Sequence, residues 1–456
     1  MRLAVIGCGH VGLVIGVCFA ESGHSVICAD IDRMVISGLK GGELPFYEPG
    51  LQELLEKNAA EGRIKFTMST AEAVKASEAI FIAVGTPPKE SGEADLRNVE
   101  RAALDVARAM DDYRLVVVTS TVPVGTAERI ASIIAENSRA DFDVASNPEF
   151  LREGTALKDR LNPDRIVIGA SSDRAIELLK NVYAGTEAPV VTTDARTAEV
   201  IKYASNAFLA TKISFINEIA HLCELVGADV EGVAEGMGYD PRIGGQFLKA
   251  GLGYGGSCFP KDTRALDQVC AERGHNFQLL RAVIDVNNRQ RERFVAKIKA
   301  ALGGDISGKT IAVLGLSFKP NTDDIRESAA LDVIRLLESE GGEVRVYDPK
   351  AMDKAREVLP NAVFCSDPYE ACRGSDILAI ATEWPEFKEL DLAHIKALLK
   401  KPIIADGRNL LDRAEVAKSG LDYVGVGRCG KTPLLSNRQI LSNSLERKPQ
   451  AGALAA

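Results

Sequence analysis

The chain has 456 residues, 46% of them hydrophobic and 26% charged, with a net charge of -9 at pH 7. That length exceeds what one hydrophobic core organises and suggests about three domains. The acidic balance excludes a general basic surface for nucleic acid, so an anionic ligand must meet local cations. No apolar run approaches the roughly 18 residues of a membrane span.

Nine cysteines, at positions 8, 18, 28, 223, 258, 270, 365, 372 and 429, include no CxxC pair. They suggest neither a disulfide framework nor a zinc site, and no metal is expected. Five histidines weaken any histidine-based mechanism. Met1 to Gly7 runs at once into a strand and a glycine loop, which leaves no room for a signal peptide and points to a cytoplasmic location.

In chain order, Leu3-Ala-Val-Ile reads as a buried strand. It is followed by G-x-G-x-x-G at Gly7, Gly9 and Gly12 and a small-residue helix through Ala20. A second strand, Ser25 to Asp30, places an acid 18 residues beyond Gly12, close to the spacing of dinucleotide-binding βαβ units. There the glycines admit a pyrophosphate to the backbone and the helix N-terminus faces its charge. Asp30 would bond ribose hydroxyls and repel a 2′-phosphate, which favours NAD over NADP, while Arg33 would tolerate the extra phosphate.

Further strands are expected at Ala79–Val84, Leu115–Thr119 and Asp143–Ser146, giving an α/β, doubly wound sheet. Their exits, Gly85–Pro88, Ser120–Thr126 and Asn147–Gly154, lie where such sheets bind ligands. Thr197 to Val226 reads as one long helix, with Lys202 and Asn206 four apart on one face. Its apolar remainder suits a core or a dimer surface.

Next comes Gly253-Tyr-Gly-Gly-Ser-Cys-Phe-Pro-Lys-Asp262. Glycines at 251, 253, 255 and 256 would let backbone approach a ligand closely. Lys261 near Cys258 suggests an electropositive setting that favours thiolate; a buried structural thiol is the alternative. After Gly303-Gly304 the strand pattern repeats at Thr310–Gly315, Val344–Asp348 and Asp376–Ala381. This predicts a second Rossmann-like domain, which lacks the glycine triplet and should not hold a second dinucleotide in the usual way. The tail from about Arg438 should be loose.

A dinucleotide fold with a reactive-looking thiol points to oxidation through an aldehyde. Thiolate attack gives a thiohemiacetal, hydride loss a thioester, and hydrolysis an acid. Over nearly its whole length the chain resembles the UDP-glucose/GDP-mannose dehydrogenase family. The resemblance is carried by Gly7–Gly12, Pro45–Gly50, Val84–Pro87, Ser120–Thr126, Asn147–Glu153, Lys202–Asn206, Phe247–Gly251, Gly253–Asp262 and Phe318–Ser328. Pro45–Gly50 and Phe247–Phe259 look nearest to the branch acting on UDP-glucose.

The resemblance implies four-electron oxidation of UDP-glucose to UDP-glucuronate with two NAD, and Cys258 as nucleophile. It implies Lys202 and Asn206 at the C6 oxyanion, Asp262 with Thr121 holding a proton-relaying water, and Glu149 assisting thioester hydrolysis. Cofactor contacts would come from Gly7, Gly9, Val11, Gly12, Asp30, Thr86, Thr121, Glu153, Lys261 and Arg326. The sugar nucleotide would meet Glu149, Phe150, Leu151, Arg152, Lys202, Asn206, Phe247, Leu248, Lys249, Ala250, Gly251, Gly255 and Lys319. Arg408 would approach the site, and Arg242 would reach a ligand across a subunit interface. One position departs from the family pattern: Val35 stands where a lysine is common, so that either Arg33 substitutes or the contact is absent.

The implied division is an NAD-binding domain at 1–196, a central helical and dimerisation region at 197–302, a UDP-sugar-binding Rossmann-like domain at 303–437, and a flexible tail at 438–456. A homodimer or higher homo-oligomer is expected, with neither nucleic acid nor membrane as partner. Alternatives are a sister enzyme acting on GDP-mannose or a UDP-N-acetylhexosamine, a two-electron hydroxyacid dehydrogenase, and a catalytically silent nucleotide sensor.

Overall fold

The computed structural model describes residues 1–89 and 91–429. The first sheet has eight strands: β1 (Arg2–Ile6), β2 (Ser25–Ala29), β3 (Ile64–Thr67), β4 (Ala79–Ile82), β5 (Arg114–Val118), β6 (Phe142–Ser146), β7 (Ile166–Ala170) and β8 (Val190–Thr193). Their order is β3-β2-β1-β4-β5-β6-β7-β8, and every neighbouring pair is parallel except β6 with β7. Apolar runs such as Ala79–Ile82 and Leu115–Val118 are buried on both faces because helices cover both sides of the sheet, which is why they lack alternation.

Strand order reverses between β1 and β4, and the loops leaving those two strands part to open a crevice at their carboxyl ends. Gly7 makes that turn at φ +102, where a Cβ would lie 2.8 Å from the Ala83 carbonyl oxygen. Gly12 packs so tightly that a Cβ would collide with the Gly7 carbonyl.

The second sheet contains β9 (Thr310–Leu314), β10 (Glu343–Tyr347), β11 (Val363–Phe364), β12 (Ile377–Ile380), β13 (Ile403–Asp406) and β14 (Asp422–Gly425). Its order is β11-β10-β9-β12-β13-β14, all parallel. Here the acid after the second strand is consumed by structure. Asp348 accepts from Leu316 N at 2.7 Å, Trp384 Nε1 at 3.0 Å and Ala351 N at 2.8 Å, and also from Ser317 and Lys350. A ribose would have to displace those bonds.

Between the sheets runs the helix Ala195–Val226, started by Asp194, which accepts from Thr197 N at 2.9 Å, and ended by Gly227 at φ 80. One face, including Lys202, Asn206, Ala210, Asn217 and Ala220, is buried. Helices Phe259–Glu272 and Gln278–Leu302 pack against it. The opposite face leaves Val200, Phe208, Phe215, Leu222 and Val226 exposed. Among the described residues no helix is long and apolar enough to cross a membrane. The loose tail expected from 438 lies outside the described residues.

Candidate active site

A cleft of about 540 Å³ opens at the carboxyl ends of β1, β4 and β5. Gly9, Val11, Thr86 and Thr121 line one side, and Cys258, Lys261 and Arg326 the other, with Glu149 and Glu153 between them. Side chains from the first sheet, the central segment and the second sheet's leading loop therefore meet in one place.

The cleft suits a dinucleotide. Nothing lies within 4 Å of where a Cβ on Gly9 would stand, and the helix His10–Glu21 has no side-chain cap, so its first-turn N–H groups are free to meet a pyrophosphate. Asp30 accepts from Cys8 N at 2.6 Å and from Asp32 N at 2.9 Å, one bond per oxygen, which leaves each oxygen further acceptor capacity. Beside it Ile31 and Met34 are 85% and 79% exposed, an apolar rim matched to a flat base. Arg33 is exposed, whereas Val35 packs against the first core, so the contact at that position falls to Arg33 or to none.

Cys258 immediately precedes the helix Phe259–Glu272 and is half-buried. The expected electropositive setting is corrected: burial, then the carboxylates of Glu149 and Asp262, push its thiol up to about 11 against the opposing pull of Lys202. Lys261 is a neighbour in sequence, but its ammonium turns to Asp262 Oδ1 at 2.6 Å and towards Thr86 Oγ1 at 3.4 Å.

Lys202 is 4% exposed, and its Nζ donates to the Glu149 carbonyl oxygen at 2.6 Å and to Glu149 Oε1 at 3.0 Å. Burial alone would lower its pKa, but Glu149, Cys258 and Asp262 together hold it above the ordinary lysine value. An ammonium has three donors and an amide two. Lys202 has thus one N–H left, and Asn206, which donates to Asp262 Oδ2 at 2.6 Å, also has one.

The glycines of the cysteine loop are needed for protein rather than ligand contact. A Cβ on Gly251 would lie 2.8 Å from the Gly407 oxygen, one on Gly255 would collide with the Glu327 carbonyl, and one on Gly256 with the Phe318 ring. The loop is therefore clamped onto the second sheet's domain. Among the described residues four non-glycine residues have positive φ: Phe247, Glu327 and Asn409 near this clamp, and Asn321, which packs against Gly154. Strain of this kind persists where surrounding structure over-determines the backbone.

The remaining expected contacts divide. Phe247, Lys249, Ala250, Gly251 and Arg408 border a hollow of about 420 Å³ beside the second sheet. The side chains of Leu248 and Ala250 belong to the hydrophobic core, so only their backbone is available to a ligand. Lys319 faces Glu153, Glu48 and Cys258, with burial lowering its pKa. Phe150 lines an adjoining cavity of about 270 Å³ that shares Thr119, Glu149 and Leu151 with the cleft, and there the Arg165 guanidinium stacks 3.6 Å from its ring centroid. Arg152 is held by Asp159 at 2.6 and 2.9 Å. Arg242 is bound to Asp240 and exposed. Arg408 ties three segments together through the carbonyl oxygens of Ala381, Gly253 and Phe318.

Glu48 and His10 were not singled out as site residues. Glu48 is 3% exposed; its Oε1 accepts from Ala156 N at 2.8 Å, and its Oε2 accepts from Gly154 N at 2.7 Å and lies 2.8 Å from His10 Nε2. The motif Pro45–Gly50 thereby fixes the strand exit carrying Glu149 and Glu153 against the glycine loop. A carboxylate flanked by two prolines was the available signal.

Three family models match in order: the NAD binding domain of the UDP-glucose/GDP-mannose dehydrogenase family over residues 1–187, its central domain over 196–289 and its UDP binding domain over 312–413. The chain is 50% identical to a UDP-glucose 6-dehydrogenase of Bacillus subtilis (strain 168), covering 94% of this chain and 93% of that protein. It is also 50% identical to a UDP-glucose 6-dehydrogenase of Rhizobium meliloti (strain 1021), covering 94% and 100%. The solved structure of a UDP-glucose dehydrogenase from Pyrobaculum islandicum superimposes with a TM-score of 0.88 at 44% identity, over 94% of this chain and 98% of that one. With its three parts matched in order and its glycine loop and Cys258 segment lining one cleft, the chain belongs to the UDP-glucose/GDP-mannose dehydrogenase family.

Proposed function

We propose that the protein oxidises the C6 hydroxymethyl of UDP-glucose to the carboxylate of UDP-glucuronate, consuming two NAD and one water. The observation that carries this reading is the thiol of Cys258, which lines the cleft with Glu149 and feels the charges of two buried hydrogen-bonded pairs behind it, Lys202–Glu149 and Asn206–Asp262. A simple alcohol dehydrogenase has no use for that thiol. NAD, when bound, accepts the hydride in each of the two oxidations.

Gly7, Gly9, Val11, Gly12 and Asp30 would hold the adenosine diphosphate end, with Ile31 and Met34 against the base, and Thr86, Thr121, Glu153, Lys261 and Arg326 the other end. In the first oxidation the hydroxyl proton passes to a water held between Thr121 and Asp262. The aldehyde is then attacked by Cys258 Sγ, and the oxygen that gains charge meets the spare N–H groups of Lys202 and Asn206. The resulting thiohemiacetal gives up two electrons to become a thioester. Glu149 draws a proton from water, which attacks the acyl carbon and releases the acid and the thiol.

We divide the chain into an NAD-binding domain at 1–196, a central region at 197–302 and a UDP-sugar-binding domain from 303. Phe247–Gly251, Gly255 and Lys319 would meet the sugar nucleotide through backbone and the lysine, although Gly251 N is held by Asn217 Oδ1 at 2.9 Å. The exposed stripe Val200, Phe208, Phe215, Leu222 and Val226 supports a homodimer through the central helix, because its spacing of about seven keeps it on one helix face. Arg242, far out on the exposed side, would then serve the partner's ligand. We place the protein in the cytoplasm, where its nucleotide-sugar substrate and NAD are found together.

The test is NADH formed per UDP-glucose consumed under limiting substrate and excess NAD, with GDP-mannose and UDP-N-acetylglucosamine as controls. Two NADH from UDP-glucose and none from the controls is expected. One NADH would reduce the reaction to alcohol oxidation, and turnover of a control alone would change the substrate.

A further inference from the structure

We propose that Ser257 is a reacting-site residue whose hydroxyl passes the Cys258 thiol proton to Glu153 as sulfur attacks the C6 aldehyde. This rests on the nucleophilic role proposed above for Cys258. Ser257 Oγ lies 3.6 Å from Cys258 Sγ and donates to Glu153 Oε1 at 2.9 Å. With its own proton committed to the carboxylate, the hydroxyl oxygen presents a lone pair to the thiol. Among the described residues it is the hydrogen-bond partner that Sγ has.

The other nearby carboxylates have close partners on both oxygens and no bond to Ser257 or to the thiol. Glu149 receives Lys202 on Oε1 and Leu151 N on Oε2, at 3.0 and 2.6 Å. Asp262 receives Lys261 and Asn206, one per oxygen, each at 2.6 Å. Glu153 is less neutralised. Arg326 reaches it only at 3.5 Å, because that guanidinium is spent on Asp324 at 2.6 to 2.9 Å, and Thr322 Oγ1 also stands off at 3.5 Å. Burial and the adjacent Asp324 raise the affinity of Glu153 for a proton. It also borders the cleft, which gives that proton a way out.

The step balances without any oxidant. The S–H bond breaks and its proton moves to Ser257 Oγ, while the hydroxyl proton moves to Glu153 Oε1. The sulfur lone pair forms the bond to C6, and the C6–O π pair goes to oxygen facing Lys202. Afterwards the Ser257 hydroxyl points at sulfur, and protonated Glu153 donates to Ser257. Gly256, held at φ +83 with its N–H on the Arg326 carbonyl at 3.0 Å, fixes Ser257 in the register this transfer needs.

The experiment is the pH dependence of Cys258 alkylation by iodoacetamide in the full, ligand-free chain, read by mass spectrometry of the Cys258 peptide. The groups facing the thiol, namely Lys202, Glu149, Asp262, Arg326 and Lys319, stay unchanged in every variant. In the wild type the rate should level off below the thiol's own titration, because Ser257 and Glu153 take the proton. In Ser257→Ala and Glu153→Gln it should keep falling about tenfold per pH unit, as thiolate alone disappears, and at neutral pH be slower than wild type by at least about tenfold. Ser257→Thr should keep the level region.

A Glu153 acting only through its charge would do the reverse, since Glu153→Gln would then speed alkylation. That result, a wild type without the level region, or a Ser257→Ala profile that retains it, overturns the relay. If Ser257→Ala fails to fold, Glu153→Gln decides. No sugar nucleotide enters this assay, so its failure is separable from failure of the UDP-glucose reading.

Discussion

Asn206 donates its amide to Asp262 Oδ2 at 2.6 Å, while Lys261 Nζ holds the other oxygen at the same distance. Asp262 is 1% exposed and Asn206 6%, so this triad joins the central helix to the cysteine helix away from water. Removing one partner of a buried pair leaves the other charge uncompensated, at a cost of about 3–5 kcal/mol. Asp262→Ala should therefore lower the chemical-denaturation midpoint sharply as well as abolish turnover. A variant that is inactive but undiminished in stability would show that Lys261 finds water once the carboxylate is gone.

Cys258→Ser should bind both ligands with little change yet release no free acid. A hydroxyl is a far weaker nucleophile, and its ester a far poorer acyl donor, than the thiol and thioester they replace. Product analysis by chromatography after prolonged incubation checks this. UDP-glucuronate at the wild-type rate would remove the covalent step.

Asp30, proposed to read the ribose, bears on cofactor choice because its two oxygens are ordered by Cys8 N and Asp32 N and keep acceptor capacity for hydroxyls. Asp30→Ala should raise KM for NAD and narrow its advantage over NADP, since the repulsion of a 2′-phosphate is gone while exposed Arg33 remains to meet it. The ratio of kcat/KM for the two cofactors is the measurement. If that ratio stays fixed, the ribose is read by another group.

Much of this was legible in the sequence, for physical reasons that also explain the gaps. β1, β2 and β4 announce themselves because strands covered on both faces must be continuously apolar. β8, Val190-Val-Thr-Thr193, is short, exposed and at a sheet edge, and β11 has two residues, so neither leaves a pattern to read. Lys202, Asn206 and Asp262 were nameable from motifs, yet their connection depends on a contact spanning 56 positions. Ser257 with Glu153, and His10 with Glu48, are likewise joined across 104 and 38 positions. The supposed thiolate setting failed for the same reason: proximity of Lys261 to Cys258 in sequence says nothing about where its ammonium goes.

His24 gives the first sheet a pH dependence whose sign can be worked out. It is 8% exposed, burial lowers its pKa below the ordinary 6.5 despite an opposing bond to the Val182 carbonyl at 2.9 Å. Between the folded and unfolded values the unfolded chain binds more protons, so stability rises with pH through that window and is lost as pH falls below about 6.5. His24→Gln keeps a donor for Val182 without the titration. Its denaturation midpoint should therefore fall less than that of wild type between pH 7 and 5; parallel profiles would assign the acid loss to other groups.

The exposed stripe on the central helix makes a prediction about assembly. Phe208 and Phe215 are 65% and 47% exposed and seven residues apart on one face of a 32-residue helix. Large rings at that spacing, left in water, contribute nothing to stability until a second surface covers them, and a contiguous apolar patch of this kind marks an interaction site. A second copy does so with the same face by two-fold symmetry. Phe208→Glu with Phe215→Glu would bring four carboxylates into such an interface, and the cost of burying them exceeds what the rest of the stripe supplies. The wild type should therefore sediment as a dimer or multiple of it, and the double variant as a monomer with its thermal transition retained. If the wild type sediments as a monomer at micromolar concentration, the stripe has another purpose, and Arg242 cannot serve a neighbouring site.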